Sequence, residues 1–555
     1  MARVPRPDHG RVSLVAVLLG AVFYTTQARA AQPAGTGGEK DAAQSVPGAR
    51  SDDAEDPAAP VAQPSVPPAA QPPQVEPPSA PAEPAQPVGA LPVPAQRQPS
   101  PSRAFLDYTD GTFYLRSADD NLIVATGGRV HVDTYAFAGP GTHDYHRANG
   151  TGLVPNMFFR RFVLESGGLI RKHWFFWLGG NFAPTQVDSN QSPMSTAGVY
   201  DGFIGYQSSP SHQLYVGQYN APFTMENVTS SRWLDFMERA LSIRTLATPY
   251  NKDLGVSYWG AIGEGVAPFE YQIGVFGGDG MNRPNVDNRV DGMARFVVRP
   301  LAKATKDASQ RLHVGISGRA GSRDDDYVMY DAPALSTPGG YAFWSPSYKA
   351  ADGTDVHVLP AGNQLAAAAE LYVPFERFDV KGELVYVNEG RREAAATDRR
   401  ATLRRGRLDG FGGYAQISYW PLGTPRVNGH PAGRYMGLKP PKDRGAEHPF
   451  GLQLLLRGEM MRLSYDGNAR TRDVADGAIS SSTTSIQVNA LQGAANYWAT
   501  KHVRLTAEYS LYHFPGTSTG AGATNQAAAP GVKASPADPS ADHLHEISFR
   551  VGLAL

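Results

Sequence analysis

Hydrophobic and polar positions alternate along the last nine residues of the chain. One side of an extended segment would carry Ile547, Phe549, Val551, Leu553 and Leu555, and the other Ser548, Arg550, Gly552 and Ala554. Successive side chains of a β-strand point to opposite faces, so this segment predicts a strand with one apolar face. A soluble sheet would show the same alternation. The terminal position, behind an export signal and many similar runs, favours the strand that closes a transmembrane barrel.

The same alternation recurs upstream. Residues 311–319, 378–386 and 503–511 each place apolar side chains on one face and charged or hydroxyl side chains on the other, whereas Leu455 interrupts the pattern in 452–459. Tyr, Phe and Trp gather near the ends of these runs, which is typical of the interfacial girdles of membrane barrels. The chain is therefore predicted to be all-β, a transmembrane antiparallel β-barrel.

The length sets the size of this barrel. Strands of about ten residues with their connections need roughly 25 residues each, which predicts about sixteen to eighteen strands and a water-filled interior. Long outer loops are expected where Gly, Pro or charged residues accumulate. These segments are residues 323–363, 388–409, 421–449 and 515–543.

The N-terminal part has a different composition. Residues 1–30 combine a basic start, a short apolar run and Ala28-Arg29-Ala30, and thus predict a secretory signal peptide. Residues 31–104 are rich in Pro, Ala and Gln and predict a disordered periplasmic linker. The barrel domain is predicted for residues 105–555, in the outer membrane.

Bulk composition narrows the class further. The mean hydropathy of −0.34 is too polar for a helical membrane protein of this length, whereas barrel strands expose half of their side chains to water. The absence of cysteine excludes a disulfide scaffold and thiolate metal sites. A formal charge of −1 disfavours nucleic acid as a partner.

Six motifs follow one another in the middle of the chain. They are GRVHVD (128–133), FRRFVLESG (159–167), LYVGQYNAPF (214–223), TSSRWLDFMER (229–239), NKDLGV (251–256) and GVFGGDG (274–280). This series resembles the phosphate-selective porin O and P family of bacterial outer membranes. The resemblance implies a sixteen-stranded barrel, a homotrimer, an inward-folded third loop that narrows the pore, and basic residues that attract small anions such as phosphate.

The third loop holds the first candidate residues. Ser230 or Ser231 could cap a short helix, because Trp233, Phe236, Met237, Ala240 and Leu241 recur at helical spacing. Arg232 and Arg239 would then share a face, with Arg244 just beyond, and these three are candidates for the pore lining. Alternatively, Asp235 and Arg239 form an ordinary surface ion pair.

A second basic row occupies residues 289–299. Alternation places Arg289, Arg295 and Arg299 inward. There, each guanidinium group can bind two phosphate oxygens at once through two hydrogen bonds. The family has an arginine ladder, which implies the same role. Alternatively, some of these arginines pair with Asp287 and Asp291.

Arg129 and Arg161 complete the candidate set. Arg129 shares an inward face with His131 and Asp133, and Arg161 shares one with Glu165. Strict alternation then leaves adjacent Arg160 at a bulge, at a strand end or at a subunit contact. Acidic residues accompany nearly every basic cluster, which leaves phosphate specificity open.

No motif predicts an enzyme. The histidines lack the spacing of a metal site, and the G-x-S-x-G match at 516–520 lies in a loop with no helical pattern after it. The sequence therefore predicts a porin without cofactor or metal, in contact with outer-membrane lipid and lipopolysaccharide. A general or sugar-admitting porin and a non-conducting adhesion barrel remain alternatives.

Overall fold

The computed structural model describes part of the chain. The described residues are 105–109, 112–119, 121–139, 155–183, 198–247, 251–263, 268–301, 312–332, 335–344, 347–349, 355–375, 377–422, 424–427, 435–439, 451–466, 484–500, 502–515 and 543–554. The chain divides into units 1–81 and 82–555, and all described residues belong to the second. The predicted signal peptide (1–30) and linker (31–104) lie outside them.

The described residues form strands almost throughout, with two short helices. The strands are β1 (Phe105–Thr109), β2 (Thr112–Arg116), β3 (Leu122–Ala138), β4 (Asn156–Ile170), β5 (Trp174–Asn181), β6 (Gly198–Ser209), β7 (His212–Asn220), β8 (Lys252–Ile262), β9 (Phe269–Phe276), β10 (Asp291–Val298), β11 (His313–Arg323), β12 (Leu335–Ser336), β13 (Ala342–Trp344), β14 (Ser347–Lys349), β15 (Asp355–Pro374), β16 (Phe378–Ala395), β17 (Arg404–Leu422), β18 (Thr424–Val427), β19 (Tyr435–Lys439), β20 (Gly451–Asp466), β21 (Thr484–Trp498), β22 (Val503–His513) and β23 (His543–Ala554). The helices are α1 (Met225–Val228) and α2 (Leu241–Leu246). None of the described helices is long and apolar enough to cross a membrane.

Sixteen of these strands close into a ring. Strands β3 to β11, β15 to β17 and β20 to β23 pair antiparallel in sequence order, and β23 returns to pair with β3. The hairpin β1–β2 extends the sheet from the first part of β3. The predicted transmembrane barrel is confirmed, and the strand predicted from the last nine residues is the one that closes it.

Alternation along the strands decides which side chains face the lipid. On β23, Phe549 is 54% exposed, while its neighbour Arg550 is 1% exposed inside the barrel. Apolar outer side chains are suited to hydrocarbon, and the closed ring pairs the backbone groups of each of its sixteen strands with two neighbours. Aromatic side chains gather on the outer face toward one end of the strands: Trp174, Tyr206, Tyr258, Phe269, Phe378 and Tyr419.

The two ends of the barrel differ. The end where β3 begins and β23 ends carries the connections 171–173, 210–211, 263–268, 299–312, 375–377, 423–450 and 499–502, and we call it the turn end. The opposite loop end carries 139–155, 182–197, 221–251, 277–290, 324–354, 396–403, 467–483 and 514–542. We call residues 221–251, between β7 and β8, the third loop.

Two of the predicted outer loops were wrong in part. Segment 421–449 connects β17 to β20 at the turn end, opposite the third loop, because composition marks a connection but strand order decides its end. Segment 388–409 is mostly strand, and only residues 396–403 lie between β16 and β17. Its charged residues were mistaken for loop residues, although several of them, including Glu389, Arg391 and Glu393, are buried inside the barrel.

Inside the barrel, two apolar clusters hold opposite parts of the wall. One, mostly aromatic and built mainly from β5 to β9, contains Phe175, Trp177, Phe203, Tyr215, Tyr219, Trp259 and Phe276. We call it the aromatic wall. In the other, Leu241, Ile243 and Leu246 of α2 pack with inward side chains of strands that include β16, β17 and β20. The third loop is therefore anchored inside the barrel.

Candidate functional site: cations around the third loop

The third loop crosses the barrel interior and binds strands on several sides. The backbone N–H of Met225 donates to Glu383 on β16 at 2.6 Å, and that of Met237 donates to Glu508 on β22 at 2.9 Å. The guanidinium of Arg504 donates to the carbonyl of Leu234 at 2.6 Å. The loop is folded inward, as the family resemblance implied.

The predicted helix over 230–241 was wrong. The helices lie on either side, at α1 and α2, and residues 229–240 are irregular. The backbone groups that would close helical turns instead bind wall side chains, as Met237 does through Glu508 and Arg550. Tertiary hydrogen bonds outweigh the helical spacing of the apolar residues, which instead touch different parts of the wall.

Two of the predicted arginines meet at one carboxylate. The guanidinium of Arg129 on β3 lies 3.0 Å from Glu165 on β4, and Arg232 of the third loop binds the other oxygen of the same carboxylate. Arg129 also donates to the hydroxyl of Ser230 at 3.1 Å. The first motif, the second motif and the third loop thus contribute to a single site.

A bulge adds an aromatic residue to this site. On β6, Val199 and Asp201 pair with adjacent residues of β5, so Tyr200 is the extra residue. Its ring lies 4.7 Å from the Arg129 guanidinium carbon and 4.3 Å from the Lys252 ammonium nitrogen. Lys252 also binds Asp201 at 2.5 Å. The phenol therefore separates two cations and attracts both through its ring face.

A second bulge resolves the adjacent arginines. His131 pairs with Arg161 and Val132 with Phe159, which leaves Arg160 as the bulged residue, one of the three predicted positions. Both arginines reach the carboxylate of Glu238 in the third loop, at 3.0 Å from Arg160 and 2.8 Å from Arg161. Bulges commonly redirect a side chain in this way.

Glu238 is bound by a third cation. Arg550 on β23 lies 2.8 Å from Glu238 and 2.6 Å from Asp133. Burial alone would raise the pKa of Glu238, but Arg160, Arg161 and Arg550 together hold it well below its usual range. Glu238 is therefore ionised at neutral pH and joins the loop to two strands.

These contacts define what we call the cation cluster. Its cations are Arg129, Arg160, Arg161, Arg232, Lys252 and Arg550, and its carboxylates are Asp133, Glu165, Asp201 and Glu238. Cations exceed carboxylates by two. The side chains of Arg160, Arg232 and Asp201 keep 10%, 12% and 15% exposure, so solvent reaches the cluster.

The row on β10 is arranged differently. Arg295 binds Glu370 at 2.5 Å and Arg299 binds Glu270 at 3.0 Å, and each arginine is 1% exposed. Arg289 precedes β10, in connection 277–290, so the strand alternation that assigned it inward does not apply to it. Its side chain is 55% exposed and binds Asp324 at 2.6 Å.

The remaining predicted arginines serve the third loop itself. Arg239 donates to the carbonyls of Glu226 and Thr229, both at 2.8 Å, and so closes the irregular segment on itself. Asp235 pairs with Lys381 at 2.5 Å rather than with Arg239. Arg244 lies on α2 and is partly exposed. The structure does not place Arg239 on the same face as Arg232.

Sequence patterns missed the carboxylates Asp201 and Glu238 and four further members of the site. Strict alternation could not show that Tyr200 and Arg160 are bulged, and Lys252 begins a strand directly after the third loop. Arg550 was assigned inward on β23, but its distance of 417 positions from Asp133 hid the pairing. For Lys252, the NKDLGV motif was the sequence feature that could have marked it as a candidate site residue.

Comparisons with known proteins agree with this architecture. The model of the family phosphate-selective porin O and P matches residues 124–527, and the chain belongs to that family. Porin O of Pseudomonas aeruginosa is 25% identical over 228 residues, which are 40% of this chain and 47% of that protein. The match therefore spans about half the length of that relative.

Solved structures with similar folds include two outer-membrane proteins. OmpT of Vibrio cholerae in its trimer form has a TM-score of 0.43 at 10% identity, covering 79% of this chain and 100% of that one. The outer membrane channel DcaP of Acinetobacter baumannii has a TM-score of 0.42 at 10% identity, covering 78% and 98%. The chain is an outer-membrane protein of the family named above.

Proposed function

We propose that this member of the phosphate-selective porin O and P family conducts small anions by passive diffusion past the cation cluster and the third loop. The excess of two cations in a solvent-reached network carries this proposal. Multiple modest contacts are suited to conduction, because a solute must leave each site as readily as it enters.

The third loop would set the size limit. It brings Arg232 and Glu238 from β7–β8 to the wall of β3 and β4, so the cluster exists only while the loop is folded inward. Anions would approach the partly exposed guanidinium groups of Arg160 and Arg232, whose planar forks suit phosphate oxygens. Phosphate is therefore one solute of the proposed class.

A sugar channel is less well supported. Stacked rings could bind sugars, and Tyr215 and Trp259 lie 4.5 Å apart on the aromatic wall. They are 1% and 6% exposed, however, so a solute cannot reach them. The rings serve as packing between strands.

Two partner proposals accompany this function. The exposed apolar outer faces would contact outer-membrane lipid and lipopolysaccharide, and family membership supports a homotrimer. Cross-linking of the protein in native outer membranes would test the trimer, and recovery of monomer alone would contradict it.

Reversal potentials in planar bilayers under a salt gradient test anion conduction. We expect anion preference in the wild type and a loss of that preference in the Arg160→Ala, Arg232→Ala double variant. A unit charge about 4 Å from a permeating ion contributes about 1 kcal/mol in water-like surroundings, or roughly a fivefold change in permeability ratio.

Arg289→Ala is the matched control, because it removes an arginine that lies outside the cluster. Cation preference of the wild type would contradict the proposal. An unchanged ratio in the double variant would contradict the role of the cluster. Comparing chloride with phosphate as the only anion then measures phosphate preference.

A further inference from the structure

We infer that Glu383, Glu459 and Glu508 are positioning residues that hold the third loop across the barrel, an inference that rests on the proposed function of that loop. They stand on β16, β20 and β22, three strands of the wall. Each accepts a hydrogen bond from the loop backbone, and none belongs to the cation cluster.

The geometry is the same at each of these carboxylates. Glu383 accepts from the N–H groups of Met225 at 2.6 Å and Glu226 at 2.9 Å. Glu459 accepts from Leu241 at 2.5 Å, and Glu508 accepts from Met237 at 2.9 Å. Each of the two oxygens of a carboxyl group can accept hydrogen bonds, so one such side chain can hold two backbone N–H groups.

Wall cations bind the loop from the other side of the same segment. Arg504 donates to Leu234, Arg550 donates to Met237, and Arg457 donates to the carbonyl of Glu238 at 3.4 Å. The wall thus supplies acceptors for loop N–H groups and donors for loop carbonyls. A buried backbone without helix or sheet partners needs such groups, because unpaired polar atoms are costly.

The entry to the loop shows that these contacts hold a strained conformation. Thr224, directly before the residues bound by Glu383, has φ 60° and ψ 152°. A β-branched residue rarely adopts a positive φ, and such strain persists only where the surroundings dictate it. The N–H of Thr224 donates to Ser317 on β11 at 3.1 Å, so the adjoining position is held as well.

The test compares Glu383 with Glu389, a second glutamate on β16. Glu389 faces inward as Glu383 does, but it binds Arg319 and Arg391 and makes no described contact with the third loop. Glu383→Gln and Glu389→Gln are therefore the same change on the same strand, with and without the loop contact. The chain has no cysteine, so Ser230→Cys gives a single spin-labelling site on the loop.

We expect the spin label to become more mobile in Glu383→Gln and in Glu508→Gln, while Glu389→Gln keeps the wild-type spectrum. Losing one buried hydrogen bond, worth about 1 kcal/mol, should raise the detached fraction of the loop about fivefold. The same two variants should show larger and noisier single-channel currents. Equal mobility and equal currents in Glu383→Gln, Glu508→Gln and Glu389→Gln would overturn the inference.

Two further experiments complete the test. Heat-dependent gel mobility reports whether each variant barrel is folded. If Glu383→Gln fails to fold, Ser317→Ala can replace it, because it removes the neighbouring neutral acceptor on β11. It should raise label mobility to a smaller extent, and an unchanged spectrum would then overturn the inference. A wild-type channel with cation preference would contradict the proposed function but would leave the mobility comparison valid.

Discussion

The cation cluster and the β10 row contain the same type of residue in different surroundings. In the cluster, six cations share four carboxylates, and solvent reaches Arg160 and Arg232. In the row, Arg295 and Arg299 each have a carboxylate of their own and are 1% exposed. The two regions show that an inward arginine keeps a positive charge in excess and in reach of solvent only where cations outnumber nearby carboxylates and remain accessible.

The largest expected effect concerns the row. Arg295→Ala leaves the buried carboxylate of Glu370 with a weaker partner, and breaking a buried ion pair costs about 3–5 kcal/mol of stability. Denaturation in detergent should show the loss. Arg289→Ala, which removes an exposed pair, should leave the stability close to that of the wild type, because solvent screens such pairs. Equal destabilisation by the two variants would remove the distinction between buried and exposed pairs.

The next effect concerns the charge balance of the cluster. Glu165→Gln removes the carboxylate shared by Arg129 and Arg232 and so increases the surplus of cations. The anion-to-cation permeability ratio should rise roughly fivefold, as expected for about 1 kcal/mol from one charge near the ion path. Glu270→Gln is the counterpart in the row and should change the ratio less, because ions approach Arg299 less closely. If the permeability ratio rose more in Glu270→Gln than in Glu165→Gln, the β10 row rather than the cation cluster would lie closer to the ion path.

A smaller effect should follow pH. Burial raises the pKa of Glu226, in the third loop, to about 7, against the lowering effect of Arg457. An acid with that pKa is neutral below about 7 and gains a negative charge above it. Anion preference should therefore fall as pH rises through that value. In the Glu226→Gln variant, the reversal potential should no longer change with pH in this way. If the variant kept the wild-type pH profile, another group would be responsible for the pH dependence.

The smallest effect concerns Tyr200. Tyr200→Phe keeps the ring between Arg129 and Lys252, so the permeability ratio should stay within about twofold of the wild type. Tyr200→Ala removes two cation–π contacts, each worth about 0.5–1 kcal/mol at partly exposed sites, and should shift the ratio further. If both variants behaved alike, the ring would not position these cations.

The fold could be predicted largely because membrane strands follow a simple rule. Alternation assigned the inward and outward faces of residues 378–386, 503–511 and 547–555, and the structure confirms them for 378–386, 503–511 and 547–554, while Leu555 lies outside the described residues. The rule fails at a bulge, where two adjacent residues face the same side. Alternation could therefore not decide whether Arg160 lies at a bulge, at a strand end or at a subunit contact, and it did not identify Tyr200 as a member of the site.

The third loop was predictable in place but not in conformation. Apolar residues at helical spacing suggested a helix over 230–241, yet Phe236 packs on Leu455 and Ala494, and Trp233 stacks on Trp498. These partners lie more than 200 positions away in sequence. Local periodicity carries no information about such contacts, and they overrule it.

The sequence by itself determined the membrane-facing surface, the closing strand and the inward position of arginines on regular strands, because a two-residue period and hydrocarbon solvation act locally. Only the tertiary structure decided which carboxylate each arginine meets, where the bulges fall and how the third loop is held. Those outcomes depend on closing the ring, which brings β3 beside β23 and the third loop against strands from several parts of the wall, including β4, β16 and β22. Charge balance in the interior is a property of that closed arrangement.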